Sequence, residues 1–544
     1  MPENWFSAVL TTVYFGILSM VALYGFHRYV LVYLYVKHRD VRHLPHKQYT
    51  ESELPAITVQ LPMFNEDAVA ERCIDATCKI DYPRDRLQIQ VLDDSTDAEA
   101  ADIARLACER WAATGVDIVY LHRNNREGFK AGALQEGLKS ASGEYVAIFD
   151  ADFIPPKDIL RNVVDHFSDP KIGMVQVRWD HLNRDASLLT KSQAIFLDGH
   201  FVIEHTARNR SGRFMHFNGT AGCWRRSTIA DAGGWQHDTL TEDLDLSYRA
   251  QMKGWQFVYL PQFVAAAELP PEMVSFKQQA HRWTKGSMQT AIKLLPRIMK
   301  SKLPWSIKSE AFFHLTCTIV YPMMVAMTLL MYPVFILNLP TKLNATPMLT
   351  PLVKLHKVAP EQWHGPSVNN WLFGLSLFVL ATCSASTFFV YAQKELFGRI
   401  AGWKTLLHLP FIMALGVGVC VNNTKAVIEA VISMIRRKPA EFVRTPKYGV
   451  TGKQRQRTLR EAPKFNFSKL ALPIVEIAFG LYMTCFIVIS IRYGTALTTI
   501  PFLMIFAGGY FYVGFSTLQV LYQRHQEALS AVIAVPAVEE PVAA

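Results

Sequence analysis

Five stretches of the chain carry no Asp, Glu, Lys or Arg and are rich in apolar side chains: residues 4–26, 311–338, 369–393, 405–424 and 493–523. A helix needs about 20 such residues to cross a hydrocarbon layer about 30 Å thick. The pattern predicts an uncleaved anchor over residues 1–36, then spans at 311–338 and 369–393, and a last pair within 470–523, at about 470–491 and 496–521. The run 405–424 fits less well. It contains Pro410, Gly416 and Gly418, and a crossing there would carry the basic segment that follows to the outer side. It is expected to lie in the interface or to re-enter, so that five crossings remain and residues 311–435 hold two spans plus this segment. The tail, residues 524–544, rich in Ala, Val and Pro, is expected to be disordered.

Between the first two runs the period changes. Short segments rich in β-branched residues occur at Ile57–Leu61, Leu87–Leu92, Ile118–Leu121, Tyr145–Phe149 and Met174–Val177. Charged, helix-like segments such as Asp97–Ala113 and Lys130–Ser140 separate several of them. This alternation predicts a mainly parallel sheet flanked by helices over residues 37–284, an α/β domain. In open sheets of that kind, ligands bind at the carboxyl ends of the strands. Residues 285–310 are basic and amphipathic and read as helix lying on the membrane surface.

Charge orients the chain. The formal net charge is +10, and residues 436–469 alone hold eleven basic and two acidic residues. Lying between apolar runs, this block reads as a cytoplasmic loop obeying the bias of Lys and Arg toward the inner side, not as a nucleic-acid surface. Arg28, Lys37, Arg39, Arg42 and Lys47 follow the anchor and place the α/β domain on the same side. The expected location is an integral membrane protein with a cytoplasmic catalytic domain, in the plasma (inner) membrane if the source is bacterial. The eight cysteines have no zinc-type spacing and read as reduced thiols.

Acidic clusters stand where strands end. Asp93 and Asp94 close the second strand, and Asp150-Ala151-Asp152 follows Val146–Phe149. Two carboxylates one residue apart at a strand end can hold Mg2+ or Mn2+ on a nucleotide diphosphate, although solvated turns carry the same string. Thr241-Glu242-Asp243 is either a reactive carboxylate pair or an acidic first turn of a helix. Gln279-Ala280-His281-Arg282-Trp283 joins a phosphate-binding type of residue to an aromatic that can stack on a sugar, or else marks a membrane interface. Arg126-Glu127-Gly128-Phe129-Lys130 offers glycine and positive charge, as a phosphate loop or an ordinary loop entering a helix.

Taken in order, these clusters resemble glycosyltransferase family 2 in its membrane-embedded polysaccharide-synthase branch, with the closer likeness to the plant cellulose synthase-like A and C group. The segments VLDDSTD (91–97), GFKAGALQEGL (128–138), YVAIFDADF (145–153), FNGTAG (217–222), TEDLDLSYRA (241–250) and QQAHRW (278–283) carry the likeness. It implies a GT-A, Rossmann-like nucleotide-sugar domain joined to an all-α membrane bundle. It implies the nucleotide near Phe64, Glu66, Asp93, Asp94, Lys130 and Asp150, and the metal on Asp150 and Asp152. Asp243 would be the general base, with Glu242 beside it. Gln279, Arg282 and Trp283 would close the donor and acceptor sites. Residues 441–447 are similar to a gating loop, with Phe442, Thr445 and Lys447 matching and Arg444 standing where that family has Val.

The resulting expectation is an inverting β-glycosyltransferase that uses UDP-glucose or GDP-mannose and elongates a β-linked glycan of the mannan, glucomannan or glucan type. Its partners would be the nucleotide sugar, the growing chain and the bilayer, with accessory subunits unread. The alternative is a single transfer to a lipid acceptor, as in ceramide glucosyltransferases.

Overall fold

The computed structural model describes residues 3–337, 368–436, 444–449, 468–493 and 499–533. The helices are α1 (Glu3–His38), α2 (Ala70–Thr77), α3 (Ala98–Ala112), α4 (Phe129–Ser140), α5 (Ile159–Val164), α6 (Leu188–Asp198), α7 (Thr206–Arg210), α8 (Arg226–Asp231) and α9 (Glu242–Met252). They continue with α10 (Met273–Lys300), α11 (Trp305–Thr316), α12 (Val320–Leu337), α13 (Val368–Phe397), α14 (Arg399–Gly418), α15 (Cys420–Arg436), α16 (Ser468–Tyr493) and α17 (Ile500–Ile533). The strands are β1 (Ile57–Met63), β2 (Leu87–Asp93), β3 (Ile118–His122), β4 (Tyr145–Ile148), β5 (Ile172–His181), β6 (Gly222–Arg225) and β7 (Gln256–Ala267).

The strands make one sheet in the order β3-β2-β1-β4-β6-β5-β7. β1 pairs parallel with β2 and β4, and β2 with β3, while β6 runs antiparallel to β4 and β5. Alternating side chains of the central strands bury both faces. Val59, Leu61, Ile89, Val91 and Ala147 lie in one core with α2 and α3, and Leu92, Val146, Ile148 and Trp224 in the other with α4. The five segments that the residue pattern marks as strands are β1 to β5. It did not mark β6 and β7. β6 has only four residues. β7 contains Pro261 at a register shift, where Val177 pairs with Leu260 but Arg178 with Val264. Proline inside a strand favours such irregular or edge positions, and it breaks the pattern a strand would show.

Five of the described helices are long and apolar enough to cross a membrane, by length and composition: Ala8–His38, Trp305–Val334, Arg399–Gly418, Leu470–Arg492 and Ile500–Glu527. Three boundaries differ from those expected. α10 begins at Met273, so Gln279, Arg282 and Trp283 stand on the helix expected only from residue 285. The run 405–424 is split between two helices, α14 and α15. α17 continues to Ile533, so residues 524–533 are helical, not the disordered tail expected from residue 524. Arg524, Gln526, Glu527, Ala528, Leu529 and Ala531 are good helix formers and carry the helix onward.

The C-terminal half of α14 lies against α6 of the α/β domain. Leu409 and Ile412 share a buried cluster with Ile195 of α6, and Leu415 and Val419 share another with Leu189 and Met273. Ile400, Trp403, Leu406 and Leu407 on α14 are exposed. Its last turns meet α17 at van der Waals distance through glycines. A Cβ on Gly509 would sit 2.1 Å from the Ala414 carbonyl oxygen, and one on Gly418 2.4 Å from that of Gly509. Small residues let helix backbones approach in this way. Gly509→Val is expected to force the helices apart and cost about 1–3 kcal/mol. The check is a lower thermal midpoint of the detergent-solubilised protein. Gly508→Ala, where a Cβ has nothing within 4 Å, should leave it unchanged.

Candidate active site

The carboxyl ends of β1, β2 and β4 open into a cavity of about 190 Å³. Its wall includes Phe64 and Glu66 after β1, Asp94 after β2, Lys130 on α4, Asp150 and Asp152 after β4, and Glu242 and Asp243 at the start of α9. Gln279, Arg282 and Trp283 of α10 line it, as do Arg444, Thr445 and Lys447. Clusters up to several hundred residues apart in the chain thus share one chamber. Phe442 lies outside the described residues.

Asp93 does not join them. It is fully buried and accepts from the Ser95 backbone N–H (3.1 Å) and from Tyr120 Oη (2.6 Å), with His122 Nδ1 at 3.0 Å. Its oxygens are committed to shaping the loop, so Asp94 faces the cavity in its place, held by Arg123 Nε (2.7 Å) and Nη2 (2.5 Å). Asp97 caps α3 through the N–H groups of Glu99 and Ala100. Asp245 is buried against Arg249 and Lys293.

The strained backbone of the molecule concentrates here. Asn65, Arg126, Phe129 and Ala221 all have positive φ, between 47° and 54°. Non-glycine residues adopt that region at a cost, and such positions gather at functional loops. The strain of the 126–129 loop places the Arg126 guanidinium 3.3 Å from the Phe64 ring centroid, a cation–π stack at the cavity edge.

Charges alternate across the floor. Lys130 Nζ donates to Asp150 Oδ1 (2.5 Å) and to the Gly219 carbonyl (2.8 Å). Lys447 Nζ donates to Asp152 Oδ1, and Arg444 binds both oxygens of Glu66 (3.1 and 2.7 Å). Burial would raise the Asp150 carboxyl, but Lys130, Lys447 and Arg282 outweigh it and hold the group below the ordinary carboxylate range. Burial dominates at Asp152, which is raised despite Lys447. Asp243 is raised to about 7 by burial and then by the neighbouring Glu242, with Lys130 opposing. Glu242 is raised chiefly by burial. A carboxylate poised near neutrality beside cations is the state expected of a general base.

α10 is fixed from below. Lys277 Nζ donates to both oxygens of Glu476 on α16 (2.6 and 2.8 Å), fully enclosed, and Asn422 Nδ2 donates to the Lys277 carbonyl (3.0 Å). Lys285 and His281 meet Glu429 on α15 (3.0 and 3.3 Å). The helix carrying Gln279, Arg282 and Trp283 is therefore clamped to the membrane helices. Sequence reasoning missed Trp179, Asn218 and Glu268, which also line the cavity. Trp179 and Glu268 are single residues at strand ends that no spacing marks, and Asn218 lies in the FNGTAG segment, to which no role was attached.

The sheet order, the acidic strand ends and the apolar helices define a GT-A-like catalytic core joined to long helices of membrane-spanning character. Residues 55–286 match the family Glycosyltransferase like family 2. Glucomannan 4-beta-mannosyltransferase 1 of Oryza sativa subsp. japonica is 46% identical over 257 residues, which are 46% of this chain and 49% of that protein. Glucomannan 4-beta-mannosyltransferase 2 of Arabidopsis thaliana is 43% identical over 282 residues, 50% of this chain and 53% of that protein. The chain spans about half the length of the curated relatives it matches. Among solved structures, a mannosyltransferase from Pyrobaculum calidifontis in complex with GDP-Man and Mn2+ is 23% identical and covers 69% of this chain and 96% of that one, with a TM-score of 0.44.

Proposed function

We propose that the protein is an inverting β-glycosyltransferase that transfers mannose from GDP-mannose to the growing end of a β-1,4-linked mannan or glucomannan and passes the product through its own helices. The observation that carries this is the chamber itself, in which the Asp243 carboxylate faces Lys130, the Asp150–Asp152 pair and the Gln279–Trp283 stretch. The mannosyl donor is favoured over UDP-glucose by the names of the plant relatives that match the catalytic half. Asp243 takes the proton of the acceptor hydroxyl as that oxygen attacks the anomeric carbon. Lys130 and Arg282 stabilise charge on the departing diphosphate. A single base with no carboxylate nucleophile gives one displacement and inversion, so an α-linked donor yields a β-linkage.

Asp150 and Asp152 offer only hard oxygen donors, and each now meets an ammonium, Lys130 and Lys447, where a cation would sit, so the pair fits Mg2+ or Mn2+. When bound, the ion neutralises charge developing on the leaving diphosphate. The chamber is smaller than the roughly 300–1,000 Å³ usual for ligand pockets because Arg444–Lys447 fill part of it. In this reading that loop withdraws from Glu66 and Asp152 when donor and metal enter. Purified protein supplied with labelled GDP-mannose and, separately, UDP-glucose tests the proposal. A long product cut by an endo-β-1,4-mannanase supports it. A single sugar on a lipid would establish the glycolipid alternative, and use of UDP-glucose alone would overturn the donor.

The donor site and the 436–469 loop share the cytoplasmic side in this reading, and α14 lies flat in the interface. Contacts of Leu409, Ile412 and Leu415 with α6 of the α/β domain, with Ile400, Trp403 and Leu407 exposed, support that placement. Fluorescent-protein fusions after Ala544 and at residue 453 are expected to glow, and alkaline phosphatase fusions at the same points to be silent. The reverse pattern at residue 453 would overturn the five-span arrangement.

A further inference from the structure

Between α6 and α7 the backbone of Gly199–His205 winds as a π-helical turn. Such turns are rare and often mark functional positions. This one stacks His200 beside His205, with ring centroids 4.4 Å apart. His216, at the entrance to the Phe217–Ala221 loop, closes the group at 5.3 and 4.9 Å from those two rings. One ring nitrogen from each of the three lies within 4.8 Å of the other two, and no other group of this kind occurs among the described residues.

The nitrogens converge on one small space. The carboxamide of Asn218 fills it now. Its Nδ2 donates to His200 Nε2 (3.0 Å) and His216 Nε2 (3.1 Å), and its Oδ1 accepts from His205 Nε2. His200 Nδ1 donates to Glu204 Oε2 (3.0 Å), and Arg208 Nη1 holds the same oxygen (3.1 Å). That carboxylate fixes the His200 tautomer with its lone pair on Nε2, the arrangement that backs histidine ligands in metal sites. The Nδ1 atoms of His205 and His216 have no partner, so each ring can carry its proton there and turn a bare Nε2 inward.

We propose that His200, His205 and His216 form a second metal site, for Zn2+ or a similar borderline transition ion, separate from the Asp150–Asp152 pair. Three imidazoles suit Zn2+, with bonds of about 2.0–2.1 Å and water as a fourth ligand. The Asp150–Asp152 pair, with oxygen donors alone, suits Mg2+ or Mn2+, so the two sites select different ions. Entry of the ion trades three hydrogen bonds for three coordinate bonds and turns the Asn218 side chain out. Asn218 lines the catalytic cavity, and the carbonyl of Gly219 beside it receives Lys130 Nζ at 2.8 Å. The ion therefore acts as an inhibitor of transfer, a consequence that rests on the transferase reading; the binding itself does not.

The test uses full-length protein in detergent, stripped with chelator and dialysed against Zn2+ or Co2+ in excess Mg2+. Metal content and the visible bands of bound Co2+ are read directly. Wild type is expected to retain a single equivalent, with Co2+ bands of tetrahedral type. His216→Gln keeps a hydrogen-bond acceptor for Asn218 and guards against misfolding; it should bind at least about 100-fold more weakly, beyond the 10–100-fold lost with an outer-sphere partner. Asp152→Ala should retain the ion, and Asn218→Ala should bind it at least as tightly as wild type. Retention by wild type no greater than by His216→Gln, or loss in Asp152→Ala, would overturn the site. Zn2+ retained by a protein that, assayed free of Zn2+ with Mg2+ or Mn2+ present, transfers no sugar from either donor would leave the site standing and remove the transferase reading instead.

Discussion

Asp243→Asn is expected to lower sugar transfer by about 10²–10⁴-fold, the range of a lost general base, while nucleotide binding stays near that of the wild type. The amide keeps the shape of the carboxylate and its hydrogen bond from the Leu244 N–H (2.8 Å), but cannot take a proton. The pH profile separates this from misfolding. With the Asp243 carboxyl raised to about 7, kcat/KM of the wild type should climb with pH to a half-maximum near neutrality and then level off. The residual activity of Asp243→Asn should lack that limb.

Stability should move the other way. A group whose pKa is higher in the folded protein than in the unfolded chain favours folding while protonated, and that contribution is lost as pH rises through the folded value. Above pH 7 the charged Asp243 therefore weighs against the fold, and Asp243→Asn should raise the thermal midpoint there while having less effect near pH 4. An unchanged turnover in Asp243→Asn would assign the proton to another group, Glu242 first.

The second large effect is expected at Asp152. Asp152→Ala should weaken Mn2+-dependent binding of nucleotide by at least about 100-fold, since removal of a direct ligand exceeds the 10–100-fold lost with an outer-sphere partner. Calorimetry with GDP, with and without Mn2+, reads it. The difference between the two titrations should disappear in the variant. Lys447 sharpens the prediction: its ammonium is raised above its ordinary value by Asp152, Glu66 and Asp150 against the effect of burial, so it is tightly held at the site the metal would take. Metal-dependent binding in Asp152→Ala equal to wild type would remove Asp152 from the metal site.

Much of the architecture is readable along the chain because short-range physics dictates it. The uncharged apolar runs, the five β-branched segments and the acidic strand ends are local patterns, and α1, α13, α16 and β1 to β5 follow from them. Strands β6 and β7 were hidden because their residues do not repeat in the usual way: one is too short, and the other is interrupted by Pro261 and a register shift. The start of α10 was hidden for another reason. Gln278-Gln279-Ala280-His281 has no apolar stripe of its own, and the helix is held by Lys277–Glu476 and Glu429, partners about 150 to 200 residues away.

Residue types and their order thus determined by themselves that this chain joins an α/β core with acidic clusters at its strand ends to a set of long apolar helices. Which carboxylates face the chamber was decided only by the tertiary structure. Asp93 and Asp94 are neighbours in the chain, yet one is consumed by Ser95, Tyr120 and His122 while the other meets the cavity. Adjacent residues on a strand point to opposite faces, and what lies on each face is set by segments far away in sequence. The same holds for the loop at Arg444–Lys447 and for the histidines around Asn218. Their partners come from distant elements, and the energy that selects the arrangement, pairing buried charges and satisfying buried polar atoms, exists only once those elements have packed.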